Sequence, residues 1–419
     1  MSRRGALFLV AACAALVVAA IGGCATFSYY GQAVLGHLDV MNRARPIEAQ
    51  LADGATPPEL RAKLARALEI REFATRELGL PDNGSYRAYA DLERPYVVWN
   101  VFAAPEFSVE PRESCFPVVG CVSYRGYYGQ VDADAFAAGQ RAEGYDVFVY
   151  GVPAYSTLGW FDDPVLSTFV RYPDAELARL VFHELAHQLV YVKGDTMFNE
   201  SFAVAVEEEG VRRWLARHGD ERERAAYAQQ RERRAQFVEL VLRYRGRLEA
   251  FYREPLPVDE RKAGKARLFA EMAADYRTLK AERWGGWPGY DRWFERGVNN
   301  AQLASVATYE ERVPAFRALL AQEGGDMARF YGAVKRLAQL DQGARDAALA
   351  ALARDGTPAA TTGPDAPRRV AAGARRARRP AARRSRRAPP CSPAPRSCRP
   401  PPDRRAAPRR FPTGMRTKR

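Results

Sequence analysis

"FHELAHQLVYVKGDTMFNESFA", Phe182 to Ala203, places two histidines four residues apart, with a glutamate directly after the first and a second glutamate inside "NESFA". The chain has only four histidines in 419 residues, so two in one short stretch ask for a reason. Apolar spacing predicts a helix over residues 174–191, with Asp174 as N-cap after Pro173. At about 100° per residue, Leu177, Val181, Leu185 and Leu189 form one stripe. His183 and His187 fall on the opposite face, beside Leu180, Ala186 and Val190. Apart from the histidines, only Glu184 and Gln188 interrupt the apolar surface beyond Leu180, and a helix apolar on both faces is buried. Two buried imidazoles bring four ring nitrogens that need partners.

A divalent zinc satisfies one nitrogen of each ring. The four-residue spacing sets both rings on one side, about 5–6 Å apart at Cβ, which suits a tetrahedral ion. Glu184 then projects to the edge of the site, where it can take a proton from a water whose pKa zinc lowers to about 7. This is the HExxH arrangement. The competing reading is a pair of core histidines hydrogen-bonded to carbonyls. A catalytic zinc needs a third protein ligand. The next histidine, His218, lies far along the chain, whereas Glu200 is available on the following predicted helix.

Bulk composition supports a large folded body. Hydrophobic residues make up 47% and aromatics 11%, enough for a sizeable core. The net charge of +14 suggests nucleic-acid binding until it is located. Residues 356–419 carry 18 Arg and 1 Lys against 2 Asp, a net of +17, which leaves −3 for everything before them. The body is mildly acidic, and no nucleic-acid partner is expected for it. Residues 355–419, rich in Arg, Pro and Ala, have no apolar periodicity and read as a disordered basic tail. Such a tail could bind anionic lipid or nucleic acid by counterion release.

The N-terminus reads as a targeting segment. Arg3 and Arg4 precede an apolar run from Gly5 to Ala20, and "IGGC" follows, ending at Cys24. That tetrapeptide resembles a bacterial lipobox. The resemblance implies a signal peptide over 1–23, a lipid on Cys24 and a membrane partner reached through it. Ala25 after the cysteine implies the outer membrane, facing the periplasm. An uncleaved anchor is the alternative, since the run is about long enough to span a bilayer. Of six cysteines, Cys115 and Cys121 remain for the body, and an oxidising compartment allows them to pair. Such a loop would stabilise by about 2–3 kcal/mol on the chain-entropy model.

Coarse patterning predicts an α+β fold, predominantly helical. Helices are expected over 27–42 and 56–80, the second ending at Gly79 and Pro81. Residues 96–160 are dense in Val, Tyr, Phe and Trp and predict three or four strands, a small sheet before the HExxH helix. From Pro173 onward helices dominate, including a pair over 220–252 and 260–282 joined by "REPLPVD", and another pair after "NNAQLASVATY".

"NESFAVAVE", Asn199 to Glu207, resembles the "NEGFASYVE" stretch of aminopeptidase N-type gluzincins. That resemblance implies that Glu200 is the third zinc ligand. Glu207, seven residues on, shares its helix face and is a candidate carboxylate to orient a ligand histidine, or else an exposed acid in the run Glu207–Glu209. More widely, "YYGQAVLGHL", "LPDNGSYRAYADL", "VWNVFAAPEFS", "CFPVVGCVSYRGYY" and "VPAYSTLGWFDDPVLST", with the metal stretch, resemble a family of predicted bacterial lipoprotein aminopeptidases of the zincin-like group. The resemblance covers about 28–320 and implies one zincin-like metallopeptidase domain over 24–354, acting on peptide substrates. The "GAMEN" motif that grips the substrate amine in aminopeptidase N is absent.

Softer candidates complete the picture. "AYSTLGWF", 154–161, is the natural edge strand for an extended substrate to pair with. Tyr309 and Tyr155 are candidate donors to the oxyanion that forms on the scissile carbonyl, each with plain packing as its alternative. The expected function is zinc-dependent peptide hydrolysis, with Glu184 as general base. The rival is a non-catalytic envelope lipoprotein with a structural zinc, which would need a fourth protein ligand that the sequence does not offer.

Overall fold

A computed structural model describes residues 28–117 and 119–355. The expected signal peptide, the lipid site Cys24 and all of the basic tail but its first residue lie outside the described residues. What is described is mostly helical, with three small sheets, as an α+β fold requires. No helix among the described residues is long and apolar enough to cross a membrane.

The largest sheet forms because "VWNVFAA" is apolar without interruption. Strand Val98–Ala104 lies between Arg125–Tyr127 and Asp146–Val152, antiparallel to both. All seven of its residues are buried, as a strand covered on both faces must be. One face (Trp99, Val101, Ala103) packs on Ala133 and Ala137 of helix Gln130–Ala142. The other (Phe102, Ala104) packs on Ala301 of helix Asn300–Glu310. A second sheet sets Ala88–Ala90 between Arg45–Pro46 and Val165–Leu166. The third is a hairpin, Ser114–Phe116 with Gly120–Val122, cross-linked by a Cys115–Cys121 disulfide.

The expected strand over "AYSTLGWF" is not there. The strand ends at Val152, and 154–161 is irregular. Pro153 follows directly, and the segment's polar groups satisfy its backbone locally. The Thr157 N–H donates to Asp163 Oδ2 (2.9 Å), and the Phe161 N–H donates to the Thr157 hydroxyl (3.2 Å). The edge strand beside the helices is Asp146–Val152, paired on one side only.

Two helices frame the centre. The histidine helix runs Asp174–Leu189, and the glutamate helix runs Thr196–His218. Asp174 does not cap the first of these. Pro173 occupies the N-cap, and the Asp174 carboxylate turns instead to Lys63 (2.7 Å) and Arg66 (2.8 Å) of helix Pro58–Leu78. That third helix ends at Gly79 with φ +65°, a left-handed C-cap that favours glycine. Phe73, Phe182 and Trp214, one from each helix, join in the main core. Helices Glu221–Tyr252 and Val258–Arg283 form a long hairpin with its own apolar cluster, including Tyr244, Met272 and Trp284. The Asp220–Glu223 capping box starts the first of them.

Gly210 lets the glutamate helix pack tightly against the histidine helix and helix Pro58–Leu78. A Cβ there would lie 2.6 Å from the Phe182 ring and 2.8 Å from Leu78 Cδ1. Gly210→Ala should therefore destabilise by about 1–3 kcal/mol through overpacking, against the roughly 1 kcal/mol that alanine's helix propensity would return. Urea unfolding of both proteins checks this, and an unchanged or raised midpoint would contradict it.

Candidate metal centre

The geometry of the site begins with the short link between its two helices. Val190 to Asp195 turn the chain back, and Gly194 takes φ +82° to do so. Asn199 fixes the turn with both ends of its amide. Its Oδ1 accepts the Val192 N–H (2.7 Å), and its Nδ2 donates to the Val192 carbonyl (2.8 Å). Asp195 caps the glutamate helix by accepting the Phe198 N–H (3.0 Å), and its other oxygen receives Arg345 (2.8 Å). The disulfide hairpin lies along the link. The Val119 carbonyl accepts from Gly194 N–H and Tyr191 hydroxyl, each at 3.2 Å, and the Pro117 carbonyl accepts Lys193 Nζ at 2.6 Å.

These constraints bring His183, His187 and Glu200 together, all buried. Nε2 of His183 is 3.2 Å from Nε2 of His187 and 3.2 Å from Oε2 of Glu200. Nε2 of His187 is 3.6 Å from the same carboxylate oxygen. Behind them, Nδ1 of His183 is 2.9 Å from Oε2 of Glu207, which also accepts Arg179 Nη1 (3.1 Å). Glu207 is thus fully inside and not part of an exposed acidic run. Glu184 is buried too, yet its carboxyl makes no hydrogen bond among the described residues.

Electrostatics show what charge the cluster is built to hold. Burial opposes ionisation of Glu200, but His187 and His183 outweigh it and hold the carboxyl at about 2. Burial likewise opposes ionisation of Glu207, and Arg179 with His183 brings it to about 2. The His183 imidazole would be pushed down by burial, yet the hydrogen bonds it donates to Glu200 and Glu207 lift it to about 10. Two buried carboxylates flanking converging nitrogens therefore demand positive charge between them. A cation can supply that charge in place of the imidazole proton, so the donor set of two nitrogens and one oxygen fits a divalent metal ion. Burial raises the Glu184 carboxyl, the state suited to exchanging a proton. Glu113 with Cys115 and Cys121 also cluster, but the disulfide occupies both sulfurs.

Two cavities meet at this centre. One, about 480 Å³, is walled by Tyr29, Phe116, Tyr124, Tyr128 and Tyr155. The other, about 450 Å³, holds the pairs Arg179–Glu207 and Arg234–Glu310, with Arg234 Nε donating to Glu310 at 2.7 Å. His183, Glu184, Val152, Ala154 and Tyr309 line both. Tyr309 comes from helix Asn300–Glu310, and its ring lies 6.4 Å from His183, nearly parallel. Burial and the Glu200 charge raise its phenol well above the usual 10, so it stays a donor. Tyr155 lines the first cavity, but its hydroxyl is hydrogen-bonded with His37 Nδ1 (2.8 Å). His218 stacks on Trp214 (4.0 Å) outside the metal group.

Sequence reasoning missed several participants. Tyr124 and Tyr150 are half-buried residues whose phenols feel the Glu200 charge, and desolvation pushes Tyr150 to about 12. Tyr150 also contributes to raising the Tyr309 phenol. Tyr124 and Tyr150 both sit in β-rich runs where Tyr is ordinary. Asn199 carried a usable signal, since it sits inside "NESFA", directly before the ligand glutamate.

A family model described as "Putative aminopeptidase" matches residues 28–349, most of the chain. No curated protein and no solved structure matches it.

Asp163 is 2% exposed, and its Oδ1 has no partner. Burial raises its carboxyl from the usual 3.8 to about 7, despite the Thr157 N–H it accepts. The folded chain thus keeps a proton there that the unfolded chain releases. The stabilisation is complete below about pH 4 and is lost as pH rises towards 7, up to about 4 kcal/mol. Asp163→Asn should flatten that fall, so that the variant gains on wild type between pH 4 and 7. Denaturant midpoints at several pH values check this, and parallel profiles would count against it.

Proposed function

The chain belongs to the family so described, and on that premise we propose that it is a zinc-dependent peptidase of zincin-like fold with aminopeptidase specificity. We propose further that it is tethered by a lipid on Cys24 to a membrane of the cell envelope, the outer membrane by the Ala25 signal, facing the periplasm. One observation carries the reading. Glu184, unbonded and buried, stands at the meeting point of two cavities beside the converging His183, His187 and Glu200.

His183, His187 and Glu200 hold the ion, and Glu207 fixes the His183 ring through Nδ1. Zinc bound there supplies a Lewis acid and lowers the pKa of a coordinated water. Glu184 accepts the proton of the attacking water and delivers it to the departing amine. Tyr309, kept protonated by its burial, donates to the oxygen on which negative charge develops. Tyr150 and Tyr124 add to the raising of the Tyr309 phenol and so help to keep it protonated. An extended peptide pairs with the free edge of Asp146–Val152, whose Val152 faces both cavities. Its residues on either side of the cut bond then occupy one cavity each. A purely structural zinc would be closed by four protein ligands, whereas the group here offers three and opens on two cavities.

Glu184→Gln should keep one zinc per chain and lower peptide turnover by roughly 10²–10⁴-fold. Elemental analysis with cleavage of a peptide library tests both halves. Undiminished turnover would remove Glu184 from its role, and zinc without cleavage by either protein would favour the structural site. Tyr309→Phe should lower kcat by about 10²–10³-fold with metal content and KM little changed. A change confined to KM would make Tyr309 a binding residue only.

A further inference from the structure

The first described helix, residues 28–43, faces outward with the wrong chemistry for water. Besides His37, its only acidic or basic residues are Asp39 and Arg43, and these pair with each other at 2.8 Å. Leu35 is 68% exposed, and Val34, Leu38 and Tyr30 are exposed beside it. Taking His37 as reference, Tyr30, Val34, Leu38 and Leu35 lie at roughly 20°, 60°, 100° and 160° round the helix, an apolar face that only the exposed Asn42 interrupts, near its C-terminal end. The inner side packs on the protein through Gly36, where a Cβ would meet the Tyr128 ring at 2.2 Å. The irregular segment that replaces the expected strand extends this face. The Phe161 ring lies 4.5 Å from that of His37, and Trp160 next to it is 74% exposed.

We propose that this helix face, with Trp160 and Phe161, rests on the surface of a phospholipid bilayer. Four features of the chain favour lipid over a second copy. The sequence immediately before the helix holds the apolar run Gly5–Ala20 and Cys24. Three residues lie between Cys24 and residue 28, four peptide steps with a reach of at most about 14 Å, so a lipid on Cys24 holds this face at the membrane. An exposed Trp beside aliphatic residues suits the headgroup boundary, where its ring is part apolar and part polar. Arg45, at the far end of the helix, donates only to main-chain carbonyls, so its charge is available to lipid phosphate. The same elements line the aromatic cavity, through Tyr29, Tyr30, Tyr155 and Leu158. That cavity therefore opens close to the bilayer surface.

The proposal needs the Cys24 tether only to bring the face to the lipid, and the experiment separates the two. The full chain is reconstituted into phosphatidylethanolamine–phosphatidylglycerol vesicles, and flotation reports the tether. Vesicles with brominated acyl chains then report contact, read as the fluorescence quenching lost in Trp160→Phe. Wild type should float and show a quenched Trp160 component. The double variant Leu35→Glu, Leu38→Glu should float and lose most of that quenching, and its exposed positions leave the core untouched. Flotation with Trp160 unquenched would overturn docking and leave the tether standing. Quenching that persists in the double variant would also overturn it. So would a wild-type dimer in detergent that the double variant dissociates, since a second copy would then cover the face. No flotation of wild type would overturn tether and docking together.

Discussion

Asn199 holds the back-turn of the chain by two hydrogen bonds to one residue, and the metal centre depends on that turn. Val192 receives from and gives to the same side-chain amide, so the link cannot rotate without losing both bonds. The link fixes how the histidine and glutamate helices present their ligands. A displacement of even an ångström would part Nε2 of His183 from Oε2 of Glu200, now 3.2 Å away. The disulfide hairpin braces the outside of the turn through two carbonyls, and Asp195 ties its end to Arg345. The turn is thus held by the Asn199 amide and by main-chain carbonyls, with the Asp195–Arg345 ion pair at its end.

Inside, charge is arranged in layers. Glu200 touches the histidine nitrogens directly, Glu207 backs His183, and Arg179 backs Glu207. Each layer alternates in sign, which reduces the cost of burying so many ions in one place. Arg234 and Glu310 continue the alternation along the second cavity. The first cavity carries aromatic rings in place of this chain of charges. A substrate spanning both would meet unlike surroundings on its two sides, a basis for direction as well as affinity.

Much of this was legible in the sequence where periodicity and motif agreed. The HExxH spacing located His183, Glu184 and His187, and "NESFA" located Glu200, because helix geometry converts sequence offset into a shared face. Helix ends with strong stop signals, such as Gly79, fell within two residues of expectation. The strands were harder. An apolar run such as 145–160 does not show where pairing stops, and Pro153 with the local bonding of Thr157 and Asp163 ended it early. Asp174 looked like a cap until its partners Lys63 and Arg66, distant in sequence, drew its carboxylate away. Tyr124, Tyr150 and Arg234 reach the site only through tertiary packing, which no local pattern records.

The ligands and the rest of the machinery are separated along the chain. His183, His187 and Glu200 belong to adjacent helices with a short link, so their contacts are local and form early. Tyr309 and Glu310 lie beyond the long hairpin of Glu221–Tyr252 and Val258–Arg283, and so are synthesised after it. On the function proposed above, a chain emerging N-terminus first would have its donor set well before its oxyanion donor. Ion capture and catalytic competence would then be separate events in time, with an interval in which the nascent chain is loaded but inert.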